Sequence, residues 1–291
     1  MKKLVKLLVG MVVIIVGTYL FLVWQNNKEV EYPTEAEIRA SFEKSIVWLQ
    51  TNRTQILAST NSMLWWMIKE SADITQDPRL VDLYNTYKKD VLDKNPRNYW
   101  NSLFNKNNYI NIDPLSIIQY PDYNQHFLYG TTCSRDLGKE EIIQRQLKMD
   151  FCNEYHPISP ACVTHQMMGM RFMQRHDCGD QAMVKEVIAA LQEKIVAQLT
   201  WDPRVVDVYL QRVMMLMDSG AKERIKPIWI KSVIGEQLED GGWSGSEALF
   251  PVGGEKYFSF TSQIMGIRGI KSDFHASAQG VLIMSMLMAQ K

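Results

Sequence analysis

A chain of 291 residues, 46% of them hydrophobic, is long enough for one large domain or two small ones, and this apolar content excludes bulk disorder. The 32 basic and 32 acidic side chains give a formal net charge of zero. This balance argues against a nucleic-acid-binding protein, because that class usually carries a basic excess.

The first feature along the chain is an apolar segment near the N-terminus. Residues 7–24 contain no charged side chain, and they follow Lys2, Lys3 and Lys6. As a helix that rises 1.5 Å per residue, the segment spans roughly 27 Å, close to the thickness of a bilayer's hydrocarbon core. The lysines predict that the N-terminus stays in the cytoplasm and that the following domain lies outside.

A cleaved signal peptide begins in the same way, so the two interpretations differ at the end of the segment. There the sequence offers no small-x-small cleavage site, and Tyr19 and Trp24 are typical of a membrane interface. We therefore expect an uncleaved anchor in the inner (cytoplasmic) membrane of a bacterial envelope. The predicted parts are a cytoplasmic tail at 1–6, a transmembrane helix at 7–24, a tether at 25–33 and a periplasmic domain at 34–291.

Helical patterns dominate beyond the tether and predict an all-α domain. Thr34, Asn61 and Asp77 followed by Pro78 are typical helix starts. Apolar residues at helical spacing predict further helices at 163–174, 180–199, 203–217, 221–238 and 274–289. The region 95–160 is an irregular insert with one expected helix near 139–149, and long inserts of this kind are often functional.

Two segments of the chain repeat each other. Residues 77–84 are Asp-Pro-Arg-Leu-Val-Asp-Leu-Tyr, and residues 202–209 are Asp-Pro-Arg-Val-Val-Asp-Val-Tyr. Common helix-start chemistry explains the Asp-Pro pair but not the later agreement at Val, Asp and Tyr. The repeat predicts similar helix pairs in a stacked array or a closed ring, because one pair cannot bury its apolar face alone.

The chain has four cysteines within one loop-rich stretch: Cys133, Cys152, Cys162 and Cys178. In an extracytoplasmic domain an even number of cysteines predicts two disulfides. Of the three connectivities, proximity in the sequence favours Cys133–Cys152 and Cys162–Cys178. The alternative is that cysteines bind a metal ion together with a histidine, for which the candidates are His156, His165 and His176.

The residues from Gly235 to Trp243, Gly-Glu-Gln-Leu-Glu-Asp-Gly-Gly-Trp, resemble a turn that is repeated in α/α-toroid proteins. That superfamily includes terpene cyclases, protein prenyltransferase β-subunits and the thioester domains of complement-like proteins. The segment around His275 resembles the helix start that carries the zinc-binding histidine of prenyltransferase β-subunits, and His165 stands at a comparable helix start. The resemblance implies an α/α-toroid fold in which such helix starts surround a central cavity.

In such a toroid, the candidate catalytic residues His165, Asp240 and His275 would converge on the cavity. Asp240 and a histidine would act as base and orienting group, or as two ligands of a zinc ion. The alternative is that each histidine only caps its helix or bonds a neighbour. The sequence lacks the Asp-x-Cys zinc ligands of prenyltransferases and the Asp-rich motif of terpene cyclases. Candidate ligand-binding residues are Trp243, Tyr257, Ser259 and Ser277.

The segment from Cys178 to Gln181, Cys-Gly-Asp-Gln, resembles the Cys-Gly-Glu-Gln motif of complement-like thioester proteins. There the cysteine thiol and the glutamine side chain form an internal thioester, which a disulfide through Cys178 would exclude. The sequence thus gives three hypotheses. The first is a cavity that binds or processes an envelope glycan, lipid or peptide. The second is a non-enzymatic scaffold that docks a protein partner, and the third, a minor alternative, is a thioester protein.

Overall fold

The N-terminal segment forms one long helix, α1 (Lys2–Gln25), in a computed structural model that describes residues 2–106, 110–153 and 160–289. Its apolar part, Val5–Gln25, has a mean hydropathy of 2.6 and is exposed except near its end, where Val23 is buried. This confirms the predicted apolar helix, which is long enough to span a membrane and also has the features of a signal sequence.

Four helices follow at the start of the domain: α2 (Glu35–Thr51), α3 (Arg53–Leu57), α4 (Ser62–Thr75) and α5 (Pro78–Tyr87). The starts of α2, α4 and α5 agree with the predicted caps. Thr34 and Glu37 form a reciprocal capping box, with Glu37 accepting from the Thr34 backbone N–H at 2.7 Å. Asn61 and Asp77 accept backbone N–H groups in the first turns of α4 and α5. Local side-chain chemistry therefore places these helices.

The insert contains more regular structure than the sequence predicts. Its elements are 3-10 turns at Tyr99–Leu103, Pro114–Ser116 and Leu137–Lys139 and the helices α6 (Asp122–Thr132) and α7 (Glu141–Gln146). The helix α6 has no counterpart among the predicted helices. It buries polar side chains, Gln125, His126 and Thr131 among them, so its buried face carries no apolar periodicity.

The remaining helices are α8 (Cys162–Arg175), α9 (Gln181–Trp201), α10 (Asp207–Asp218), α11 (Pro227–Gly235) and α12 (Phe274–Met288). Five helices pack side by side in the order α4, α12, α10, α8 and α6, while α2, α5 and α9 pack on α12, α4 and α8. Trp66 of α4 meets Phe172 of α8 edge to face at 5.3 Å, inside one continuous apolar core.

The expectation of an all-α domain is wrong in one region. Residues 247–269 form an antiparallel sheet of β1 (Glu247–Gly253), β2 (Lys256–Phe260) and β3 (Met265–Gly269), in that order. Gly253 and Gly254 both have positive φ and make the turn between β1 and β2. In β2 the partly buried Phe258 and Phe260 flank the buried Ser259, so successive side chains point to opposite faces, which is the period of a strand and not of a helix.

The repeated segments have the same local contact but different helix starts. Arg79 Nε donates to Asp77 at 3.0 Å, and Arg204 Nε donates to Asp202 at 2.7 Å. In the second copy residues 202–206 are not helical, and the helix begins only at Asp207. The repeat therefore specifies the Asp–Arg pair, and the predicted helix start at 203 is wrong.

The four cysteines form two disulfides, Cys133–Cys178 and Cys152–Cys162, so the pairing predicted from proximity is wrong. Packing of α6 against α8 brings the ends of both helices together, and the Cα atoms of Cys133 and Cys178 lie 5.2 Å apart. The disulfide contradicts a thioester between Cys178 and Gln181, because the sulfur is already bonded. It also removes the cysteines as metal ligands, and His156 lies outside the described residues.

The chain that follows α1 is fixed to the domain at its beginning. Asn26, at the start of the predicted tether, is buried, and its side-chain oxygen accepts from the Tyr209 hydroxyl at 2.9 Å. The Trp229 indole donates to the Asn26 backbone oxygen at 2.9 Å. Six residues before the end of α1, the Tyr19 hydroxyl donates to the backbone oxygen of Trp201 at 2.7 Å. These contacts hold the end of α1 against α9 and α10.

Candidate functional site

A cavity of about 240 Å³ lies where several helices begin. The first turns of α4, α6, α8 and α12 and one side of α10 border it. The polar residues among its walls include Asn61, Tyr123, His165, Gln211 and His275, and the apolar ones include Met67, Phe127 and Met168. A cavity with polar and apolar walls suits a ligand that has both characters.

His165 and His275 border this cavity together, as the sequence predicts. The His165 ring stacks on Tyr123, with ring centroids 4.2 Å apart and planes inclined by 16°. Burial lowers the pKa of His165 to about 4, and the charge of His275 adds to this effect. At neutral pH the His165 imidazole is therefore uncharged and presents one donor and one acceptor nitrogen.

His275 lies in the first turn of α12, close to the carboxylate of Asp207. Its Nδ1 lies 3.9 Å from Asp207 Oδ2, and its Nε2 lies 3.5 Å from the side-chain nitrogen of Gln279. Burial raises the pKa of Asp207, while the charge of His275 acts in the opposite direction. The distance to Asp207 exceeds a direct hydrogen bond, so the pair is coupled through charge. An imidazole close to a carboxylate is a common arrangement for a general base.

Asp207 and Gln211 were not predicted as site residues, and both come from the first turns of α10. Thr164 in α8 donates a short hydrogen bond to the Gln211 side-chain oxygen, which fixes this amide at the cavity wall. The repeat did contain Asp207, but its counterpart Asp82 pairs with Arg53 at 2.8 Å on the surface. Sequence similarity between the two copies therefore does not distinguish the site residue from the surface one.

Asp240 is not among the residues that border the cavity, contrary to the prediction. It is exposed, accepts from the Gly242 backbone N–H at 3.1 Å, and accepts a short hydrogen bond from the Ser272 hydroxyl. Trp243 is fully buried, and its indole donates to the Val233 backbone oxygen at 2.7 Å. The motif that resembles the toroid turn thus closes the end of α11 and fills the core.

The other predicted ligand-binding residues also have structural contacts away from the cavity. The buried Ser277 hydroxyl accepts from the Trp243 backbone N–H at 2.9 Å. The buried Ser259 hydroxyl donates to the Gly266 backbone oxygen at 3.1 Å, which joins β2 to β3. Tyr257 lies in β2, directly opposite Arg268 of β3. None of the three is among the residues that border the cavity.

A second cavity of about 430 Å³ adjoins the first. Tyr123 and His165 border both, so the stacked rings stand between the two spaces. The second cavity also touches Gln146, Phe151 and Gln263, the last of which lies in the turn between β2 and β3. A ligand larger than the first cavity therefore has room on the other side of His165.

Zinc was the cofactor that the resemblance implied. Within residues 2–106, 110–153 and 160–289, no three His, Cys, Asp or Glu side chains lie close enough together to hold a metal ion. The pair His275 and Asp207 supplies two groups of the required kind, which is fewer than the three protein ligands of a catalytic zinc. The described donor set therefore does not fit zinc. Acid–base chemistry at His275 and Asp207 needs no metal ion.

We expect Gly280→Ala to lower the free energy of unfolding by about 1–3 kcal/mol, because added volume in a packed core forces neighbours to move. A Cβ at Gly280 would lie 2.4 Å from the Trp243 ring. Urea unfolding followed by tryptophan fluorescence measures the change. Gly235→Ala is the matched control, because a Cβ there meets nothing within 4 Å. Equal stability of both variants would contradict the packing described for Trp243.

Searches with protein-family models, curated proteins and solved structures find nothing that matches this chain. The chemistry of the cavity itself is therefore the basis for a function.

Proposed function

We propose that this protein is held in a membrane by α1 and that its cavity binds or processes a ligand of the cell envelope. The observation that carries this proposal is the meeting of His165 and His275 at one cavity, with Asp207 behind His275. The ligand class is an envelope glycan, lipid or peptide, because those are the molecules that an anchored outer domain meets.

Several observations support the membrane location. The two disulfides are typical of an oxidising compartment, so they favour a domain outside the cytoplasm, on the periplasmic side of a bacterial inner membrane. Lys2, Lys3 and Lys6 favour an N-terminus in the cytoplasm. The bond from Tyr19 to Trp201 supports retention of α1, because cleavage of a signal peptide would remove this contact.

An α/α-toroid-like arrangement is the fold that we propose for the helices. The helices that contact one another in the order α4, α12, α10, α8 and α6 would form the inner ring, with α2, α5 and α9 on its outside. The first turns of α4, α6, α8 and α12, together with Gln211 of α10, reach the same cavity. In such a ring, helix starts would project polar side chains into a common space, which agrees with the positions of His165 and His275.

The residues at the cavity have distinct chemical capacities. His275, with the Asp207 carboxylate 3.9 Å from its Nδ1, would take a proton from the ligand or from a water molecule. His165 stays neutral at neutral pH and would bond a polar group of the ligand through either ring nitrogen. Gln211, held by Thr164, adds a fixed amide for a hydroxyl or carbonyl group. The methionines that border the cavity would contact an apolar part of the ligand.

We expect His275→Ala and Asp207→Asn each to weaken ligand binding by about tenfold or more, since each removes one charge-assisted interaction. The full chain in lipid nanodiscs is mixed with a muropeptide digest or with a phospholipid extract, and bound molecules are measured by native mass spectrometry. Asp82→Asn is the matched control, because Asp82 is the repeat counterpart of Asp207 and lies at the surface.

If the folded wild-type chain binds none of these molecules, the cavity proposal is contradicted. That result would favour the non-enzymatic alternative, a scaffold that docks a protein partner. If Asp82→Asn weakens binding as strongly as Asp207→Asn, the effect comes from charge or stability and not from the cavity.

A further inference from the structure

The outer face of the three-stranded sheet is apolar and exposed. Phe258 in β2 lies opposite Phe250 of β1 and Ile267 of β3, and Phe260 lies opposite Met265, so these five side chains share one face. Exposure is 62% for Ile267, 60% for Met265 and 54% for Phe250. Ser259, which alternates with the two phenylalanines, is buried on the other face. An exposed apolar face of this kind usually contacts a partner or a membrane.

Hydrogen bonds connect this sheet to the end of the apolar helix. Arg204 Nη1 donates to the backbone oxygen of Thr261, in the turn between β2 and β3, at 3.3 Å. Three residues before Arg204, the Trp201 backbone oxygen accepts the hydroxyl of Tyr19 in α1. The sheet is therefore joined to α1 through one short segment of the chain, residues 201–204.

The depth of Tyr19 places this segment at the surface of a bilayer. Tyr19 lies five residues before the end of the apolar segment 7–24, which is roughly 7.5 Å along the helix axis. With Tyr19 and Trp24 in the interfacial layer, Trp201 stands at the level of the interface, where tryptophan is enriched. Trp201 is 57% exposed, as expected for a side chain that meets lipid headgroups. The domain therefore touches the bilayer at the end that carries the sheet.

We propose that the apolar face of Phe250, Phe258, Phe260, Met265 and Ile267 rests in the interfacial layer of the bilayer that holds α1. This inference rests on the part of the proposed function that keeps α1 in the membrane. A bilayer is the occupant that the geometry favours, because a second protein chain would have to fit between the sheet and a membrane surface that the neighbouring Trp201 already reaches.

Membrane contact of the sheet also has a consequence for the cavities. Gln263, in the turn between β2 and β3, borders the second cavity together with His165. The Asp207 carboxylate interacts with Ser262 of the same turn. A sheet that rests on lipid therefore brings the cavity region close to the headgroups of the same bilayer.

Photolabelling of the full chain in nanodiscs tests this inference. The nanodiscs contain phosphatidylcholine and phosphatidylglycerol with a small fraction of a phospholipid that carries a diazirine in its acyl chain. After irradiation and proteolysis, mass spectrometry locates the lipid adducts. We expect adducts in α1 and in peptides that contain Phe250, Met265 or Ile267. Peptides with Ile74 should stay unlabelled, since this exposed residue lies in the last turn of α4, at the end far from the cavity.

Single charged substitutions sharpen the test. Ile267→Asp should reduce adducts on the sheet by about tenfold, because burial of an isoleucine side chain in an apolar layer is lost. The matched variant Ile74→Asp should leave the pattern unchanged. If a variant fails to fold, the pattern of lipid adducts on the wild-type chain still tests the contact between the sheet and the bilayer.

The possible outcomes separate the two proposals. Adducts in α1 without adducts on the sheet would overturn the membrane contact of the sheet and leave the anchor standing. No adducts in α1 would overturn the anchor itself. Two chains in each nanodisc, with the sheet unlabelled, would assign the apolar face to a second copy of the chain and overturn the lipid contact.

Discussion

Removal of the Cys133–Cys178 disulfide is expected to lower the free energy of unfolding by about 4 kcal/mol, against about 3 kcal/mol for Cys152–Cys162. The two disulfides differ mainly in the length of chain that they close, 45 residues in the first and 10 in the second. A cross-link that closes a longer loop removes more conformational freedom from the unfolded chain, so its loss costs more stability.

The position of the longer cross-link adds to its importance. Cys133 ends α6, and Cys178 lies just after α8, so the bond fixes the two helices whose first turns carry Tyr123 and His165. The shorter bond ties the start of α8 to the chain just beyond Met149. Loss of the longer bond should therefore also loosen the stacking of His165 on Tyr123.

The measurement compares two double variants, Cys133→Ala with Cys178→Ala and Cys152→Ala with Cys162→Ala. Each leaves the other disulfide intact and no free thiol among the native cysteines. Urea unfolding of the full chain in detergent micelles, followed by tryptophan fluorescence, gives the loss in free energy of unfolding for each double variant. Equal losses, or a larger loss from the shorter loop, would contradict the argument from chain entropy.

Elements defined by neighbouring residues were predictable from the sequence. The apolar run of α1 and the caps at Thr34, Asn61 and Asp77 follow from side chains within one turn of the chain, and the structure has all of them. His165 and His275 were predicted as site residues because each lies at a helix start, and a helix start is also recognised from neighbouring residues. Their meeting at one cavity depends on how the helices pack.

Features that depend on distant residues could not be predicted in this way. The disulfide partners follow from the packing of α6 against α8, which proximity in the sequence does not show. Asp207 serves the cavity while its repeat counterpart Asp82 binds Arg53, because the two copies face different neighbours. Asp240 was assigned to the site from a motif that in this structure stabilises a turn.

Acid should destabilise the domain through a histidine outside the cavity. His126 in α6 is completely buried, and neither of its ring nitrogens has a hydrogen-bond partner among the described residues. Burial lowers its pKa to about 4, although the nearby Gln146 side chain partly opposes this effect. The ring packs closely against α8, since a Cβ at Gly169 would lie 2.2 Å from its Nδ1. It cannot turn to solvent without separating the two helices.

The direction of the pH effect follows from proton binding. In the unfolded chain a histidine has a pKa near 6.5, so between pH 6.5 and 4 it binds a proton that the folded state excludes. Stability therefore falls as the pH drops through this range, by roughly 3 kcal/mol for His126. His165 acts in the same direction, since its pKa is also lowered to about 4, but its partial exposure to solvent reduces the effect.

Comparison with His126→Leu isolates this contribution. The variant has a side chain of similar volume that does not titrate, and it removes a buried imidazole without a partner, so at pH 7 it should be at least as stable as the wild type. Between pH 7 and pH 4 the difference in free energy of unfolding should grow by roughly 3 kcal/mol in favour of the variant. Carboxylates titrate in both proteins, so their contributions cancel in the difference between the two free energies of unfolding. A difference that stays constant over this range would show that His126 is protonated in the folded state, and the close packing of α6 on α8 would then need another explanation.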